Sequence, residues 1–114
     1  MLPSQNRLVK KTTFKKIAQN ARPLHSRYLI LKKLPSASQT ASQFGIVISA
    51  KISKKSTVRN KIKRRLREIL RQNLSKLRLG YQVMLVVKAA IIGQNYQAIK
   101  QDLEQLLNKV QLFK

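Results

Sequence analysis

Acid–base and metal chemistry have little to work with in this chain. It carries three carboxylates, Glu68, Asp102 and Glu104, a single histidine, His25, and no cysteine. Hydrolysis of a phosphodiester at a protein-held two-metal site needs clustered carboxylates. Glu68 stands among arginines, and Asp102 and Glu104 lie two residues apart in a helical pattern, hence on different faces. No metal site and no catalytic residue are therefore expected in the protein alone. Acid–base cleavage would want His25 paired with another histidine or a lysine, but it falls in an expected loop beside Pro23, where a solvated or capping role fits better. Without cysteine there is neither a disulfide framework nor a thiolate metal site.

What the chain has in excess is cations: 25 lysines and arginines against three acids, a formal charge of +22. Nothing within the sequence can neutralise them. A polyanion can, because each phosphate contact releases condensed counterions, whereas a surface built only for solubility mixes both signs. Ten cations crowd into the 21 positions from Lys51 to Arg71: Lys51, Lys54, Lys55, Arg59, Lys61, Lys63, Arg64, Arg65, Arg67 and Arg71. Interleaved with them, Val58, Ile62, Leu66, Ile69 and Leu70 recur at steps of three and four. At ~100° per residue these apolar positions share one arc and the cations take the rest, so one helix acquires a core face and a phosphate face. Its start, Ser56 to Arg59, adds free N–H groups and a partial positive charge suited to a phosphate.

The elements that must position this helix are legible from periodicity and punctuation. Thr12 or Thr13 can cap a short helix carrying Phe14, Ile17, Ala18 and Ala21, which Pro23 stops. Arg27–Lys33 reads as a strand, Pro35–Ser42 as a flexible hairpin connection, and Phe44–Ala50 as a second strand buried on much of both faces. Ser56 or Thr57 caps the basic helix, which runs to about Leu77; Gly80 ends it and Gln82–Lys88 is a further strand. Gly93-Gln94-Asn95 turns the chain into a last helix, with Asn95 as cap and Tyr96, Ile99, Leu103, Leu106, Leu107 and Val110 as the stripe facing the sheet. The predicted order is α-β-β-α-β-α, with a short extra strand near Lys51–Ser53, in an α+β fold of one domain over residues 1–114. No segment reaches the ~18 apolar residues of a membrane span, and the N-terminus lacks a signal peptide's apolar run, so a cytoplasmic protein is expected.

The segment Arg59-Asn60-Lys61-Ile62-Lys63-Arg64-Arg65-Leu66-Arg67-Glu68 closely resembles the RNR motif of the bacterial ribonuclease P protein family, whose usual pattern is R-N-R-x-K-R-x-x-R. Lys51–Val58 resembles the family's lead-in to that helix, and Leu2-Pro3, Asn6-Arg7-Leu8 and Phe14 resemble its opening. Three positions depart from the pattern. Lys61 replaces an arginine and gives up bidentate geometry; Lys54-Lys55-Ser56-Thr57 stands where Gly-x-Ala-Val is frequent; Ala18 stands where a second aromatic is common. The resemblance implies an α/β sandwich like the second domain of ribosomal protein S5, with a left-handed β-α-β crossover, against the ~98% right-handed habit of such units. It implies two partners, the catalytic RNA of ribonuclease P and precursor tRNA, with no membrane and no obligate protein partner.

In that scheme Lys51, Lys54, Lys55, Arg59, Asn60, Lys61, Lys63, Arg64, Arg65, Arg67 and Arg71 bind the catalytic RNA. Arg7, Phe14, Tyr28 and Lys32 form a cleft for the 5′ leader of precursor tRNA. Alternation agrees in part, since Tyr28, Ile30 and Lys32 fall on one face of their strand and Leu29 and Leu31 on the other, although Phe14 and Tyr28 could equally be core residues. No cofactor is expected on the protein alone, and the resemblance implies Mg²⁺ in the holoenzyme, held by RNA. A structural ribosomal or ribosome-assembly protein would share the charge and size, and would owe nothing to the motif.

Overall fold

A computed structural model describes residues 2–8, 10–36 and 41–114. Helix α1 spans Lys11–Asn20. Lys10 occupies its N-cap without a side-chain bond, so Thr12 and Thr13 lie inside the first turn and neither is the expected cap. Four strands follow: β1 (Leu24–His25), β2 (Leu29–Pro35), β3 (Gln43–Val47) and β4 (Tyr81–Val87). Helix α2 (Ser56–Asn73) joins β3 to β4, and α3 (Tyr96–Lys109) closes the chain.

The strands lie in the order β1-β2-β4-β3, with β2 antiparallel and β3 parallel to β4. The expected hairpin between the second and third strands therefore does not form, because β4 enters between them. Its run Val83–Val87 is apolar at every position and needs cover on both faces, which only a central strand obtains. The strand expected to be buried on both faces, β3, instead takes the edge, where Ile46 is half-buried and Val47 is 38% exposed. Within the expected connection, residues 37–40 lie outside the described ones. Lys51–Ser53 is a turn rather than a strand, closed by the Ile52 N–H on the Ser49 carbonyl at 3.0 Å. The extra strand is β1, paired with β2.

Helix α2 has Lys55 at its N-cap, so Ser56 and Thr57 sit inside the helix. It ends at Asn73, short of Leu77. There the Asn73 amide folds back onto the Ile69 carbonyl at 2.8 Å, the competition with the backbone that disfavours asparagine in helix interiors. A 3-10 turn, Leu74–Lys76, follows, and Gly80 takes φ 84° to enter β4. Asn95 caps α3 as expected, its Oδ1 accepting the Ala98 N–H at 2.8 Å.

Alternation along β4 sorts the core into two layers. Val83, Leu85 and Val87 join Leu29, Leu31 and Phe44 under α2 and α3, which contribute Ile62, Leu66, Ile69, Leu70, Ile99, Leu103, Leu106 and Leu107. On the other face Met84 packs with Leu8 and Ile17, flanked by Phe14, Ala21, Leu34 and Val86. The sheet is thus sandwiched between α1 and the α2–α3 pair, the expected α/β architecture. Fully burying a leucine or isoleucine contributes ~1.5–3 kcal/mol, so the apolar stripe of α2 is what fastens its charged face in place.

Gly45, opposite Met84 in the β3–β4 register, lies under the Phe14 ring. A Cβ there would stand 2.3 Å from Phe14 Cζ and 3.2 Å from Leu8 Cβ, closer than atoms tolerate. Gly45→Ala should therefore lift Phe14 and destabilise the protein by ~1–3 kcal/mol. Denaturant melts of Gly45→Ala and of Gly45→Ala with Phe14→Ala check this: the second substitution should recover part of the loss, and strictly additive losses would exclude the contact.

Candidate RNA interface

On α2 the structure separates the two faces that the periodicity anticipates. Ile62, Leu66, Ile69 and Leu70 are buried and Val58 is half-buried, whereas Asn60, Lys61, Arg64 and Arg71 are exposed, with Arg59, Lys63, Arg65 and Arg67 half-buried along the flanks. Lys51, Lys54 and Lys55 are exposed in the lead-in. Ser53 organises that lead-in: its Oγ accepts the Lys55 N–H at 3.3 Å and its carbonyl accepts Arg59 Nη1 at 2.6 Å. The turn and the first turn of α2 are thereby held as one unit.

The cations then divide by what their head groups touch. Arg59 is committed to Ser53, Arg65 donates to the Gln94 carbonyl at 3.2 Å, and Arg71 grips Glu68 through two bonds of 2.5 and 2.9 Å. Lys61, Lys63, Arg64 and Arg67 have no protein partner among the described residues. Asn60, Arg64, Arg67 and Glu68 line an open surface pocket of about 540 Å³. Their spacing of four, seven and eight positions from Asn60 places them on one side of the helix.

Two of the four residues expected in a leader cleft, Phe14 and Lys32, lie beside α1, whereas the third, Arg7, alternates with Leu8 and falls on the α2–α3 side with Leu2 and Phe44. Arg7 bridges β3 at Phe44, and its Nε donates to the Leu2 carbonyl at 2.9 Å. Phe14 is half-buried over Gly45, and Lys32 Nζ donates to the Ala18 carbonyl at 3.2 Å beneath the helix C-terminus. Tyr28 is not with them. It lies in a bend before β2, 6% exposed in the core under α2 and α3, together with Leu29 and Leu31 rather than opposite them. Strand alternation cannot be counted back through a bend, which is why the expected face was wrong. Beside α1, half-buried Val86 and exposed Val47 are paired in the sheet and leave an apolar floor next to Phe14.

Each carboxylate is already engaged. Asp102, nine-tenths buried, accepts the Ser26 hydroxyl at 2.6 Å, the Tyr28 N–H at 3.1 Å and the Arg27 N–H at 3.2 Å. Glu104 accepts the Asn73 amide at 3.0 Å. His25 is exposed on β1. Among the described residues no group of three histidines or acids could hold a metal ion, and no helix is long and apolar enough to cross a membrane. Two residues that matter here carried little signal in the sequence, Ser53 and Gln94, because each receives its arginine on a backbone carbonyl, which every residue type offers. Gly45 did carry one, since a glycine inside an apolar strand marks a close approach.

A sheet sandwiched between helices, with an unneutralised cationic helix on its parallel crossover, defines a small polyanion-binding α/β protein. Residues 2–111 match the family model of Ribonuclease P. The chain is 39% identical over 112 residues to the Ribonuclease P protein component of a Pseudanabaena species, covering 98% of this chain and 97% of that one. It is 32% identical over 114 residues to that of Microcystis aeruginosa, covering 97% and 95%. Among solved structures, the RNase P protein of Staphylococcus aureus matches with a TM-score of 0.88 at 22% identity, over 96% of this chain and 98% of that one. That of Thermotoga maritima matches with 0.81 at 25% identity, over 90% and 96%. The chain belongs to the ribonuclease P protein family, and its role is that of the protein subunit of this endoribonuclease.

The hydrogen-bonded Arg71 guanidinium holds the Glu68 carboxyl well below its ordinary value of 4.5, at about 2. Because the folded-state value is the lower one, the stabilisation is fully present above pH 4.5 and is lost as pH falls through about 2. An NMR titration of the Glu68 carboxyl should give a midpoint near 2 that moves up toward 4.5 in Arg71→Ala; an unmoved midpoint would exclude Arg71 as the cause.

Proposed function

We propose that α2 docks this subunit onto the catalytic RNA of ribonuclease P while the α1 face holds the 5′ leader of precursor tRNA. The observation that carries this reading is the partition of α2: a buried stripe fixes the helix, and Lys61, Lys63, Arg64 and Arg67 present charge that has no partner among the described residues. Lys51, Lys54 and Lys55 extend the cationic track into the lead-in. On the opposite side of the sheet, Phe14 beside the Val47–Val86 floor supplies a stacking and apolar surface, and Lys32 supplies charge, the combination that single-stranded RNA requires. Tyr28, engaged in the other core layer, has no part in this cleft.

Phosphodiester hydrolysis is assigned to the RNA, as is Mg²⁺. The protein's three carboxylates are dispersed over the fold and bound to Arg71, to Ser26 with its neighbouring backbone, and to Asn73. The protein itself positions substrate and lowers phosphate repulsion, and the holoenzyme severs the bond 5′ to the mature tRNA and leaves a 5′-phosphate on it. It needs no further protein partner and works in the cytoplasm, where its RNA partners are.

Two measurements test the two halves. Filter binding of the catalytic RNA at several salt concentrations should show Lys61→Ala with Arg64→Ala lowering the log–log slope by ~1.4–1.8, two phosphate contacts at ~0.7–0.9 each. An unchanged slope removes α2 from the interface. For the leader, Phe14→Leu keeps apolar volume over Gly45 but removes the ring. It should weaken holoenzyme binding of precursor tRNA by ~1–3 kcal/mol while sparing mature tRNA; equal loss for both would make Phe14 a packing residue only.

A further inference from the structure

We infer that Arg65, although it stands among the RNA-binding cations of α2, is a positioning residue that fastens this helix to the turn at the start of α3. Its geometry differs from that of the free cations. At ~100° per residue Arg65 lies about 60° around the helix from buried Ile62, whereas Arg64 lies about 160° from it. From that flank Arg65 Nη1 reaches the Gln94 carbonyl at 3.2 Å, a contact between residues 29 positions apart in sequence. Gln94 is held from the other side as well, its side-chain oxygen accepting the Tyr28 hydroxyl at 3.1 Å. Tyr28 in turn donates its N–H to buried Asp102 on α3, which also takes Ser26 and Arg27. Within the turn the Gln94 N–H bonds the Ile91 carbonyl at 3.1 Å and Asn95 caps α3, while Gly93 at φ +81° has nothing within 4 Å of where a Cβ would stand. Arg65 and Tyr28 therefore clamp one turn from α2 and from the bend before β2, and the clamp sets how α2 is presented to RNA.

The inference rests on the RNA-binding reading of α2, and the test separates the two. In filter binding of the catalytic RNA, Arg64→Ala should lower the salt slope by ~0.7–0.9, whereas Arg65→Ala should weaken affinity roughly three- to tenfold with the slope unchanged. Tyr28→Phe combined with Arg65→Ala should lose less than the sum of the two, since both release the same turn, while Tyr28→Phe with Arg64→Ala should be additive. Hydrogen exchange on the free protein provides a readout without RNA. The amides of Gln94, Ala98 and Ile99, which are hydrogen-bonded at this turn, should exchange faster in Arg65→Ala, not in Arg64→Ala, and should regain protection in Arg65→Lys, which keeps a donor within reach of the carbonyl. Unchanged exchange in Arg65→Ala, or a slope loss equal to that of Arg64→Ala, overturns the positioning role. An unchanged slope for Arg64→Ala overturns the RNA-binding reading instead, and leaves the exchange result to decide the clamp.

Discussion

Strand β4 has to be covered on both faces, and the placing of the other elements follows from that requirement. Its five consecutive apolar residues, Val83 to Val87, point alternately to opposite sides. Val83, Leu85 and Val87 call for one apolar layer and Met84 and Val86 for another. Helices α2 and α3 supply the first and α1 the second. The two RNA-facing surfaces proposed for this subunit are therefore on opposite sides of one strand. Moving β4 to an edge would strip cover from one layer and bring down the helix that forms the corresponding surface.

Charge is the second constraint, and the handling of the three acids shows how the fold lives with it. Only Glu68 is spent on an arginine. Asp102 organises the bend Ser26–Tyr28 and Glu104 receives Asn73, so among the described residues neither carboxylate pairs with a cation. A buried carboxylate satisfied by one hydroxyl and two backbone N–H groups meets its hydrogen-bonding need without lysine or arginine. The cost is an outer surface that repels itself at low ionic strength, and an RNA partner relieves that repulsion. Some cations find use inside the molecule instead. Lys33 Nζ donates to the Val110 carbonyl at 2.6 Å, at the negative end of α3, and lies 4.9 Å from the centre of the Tyr81 ring.

A motif read as one block of RNA ligands is thus chemically mixed. Arg59 closes the lead-in on Ser53, Arg65 bridges to the turn before α3, and Arg71 restrains Glu68. Arginine suits such work, because its planar fork can give one N–H to a carbonyl and keep others available. Lysine at position 61 makes no such tie among the described residues and stays an exposed point charge.

The sequence by itself determined the charge imbalance, the two-faced basic helix, the Asn95 cap and the resemblance carried by Arg59–Glu68, because each depends on residue type and local spacing. Strand order was settled only in three dimensions. Local patterning marks β2 and β3 as neighbours in the chain, but the burial demanded by β4 separates them, and pairing partners are not encoded in periodicity. Helix starts were misplaced at Thr12 and Ser56 for a related reason: the observed caps, Lys10 and Lys55, bring no capping side chain, so no local signal marked them. Tyr28 shows the same limit at the site. Its residue type suits stacking on RNA, but a bend before β2 and the pull of Asp102 and Gln94 turn it into the opposite core layer, and only the packed structure brings those partners to it.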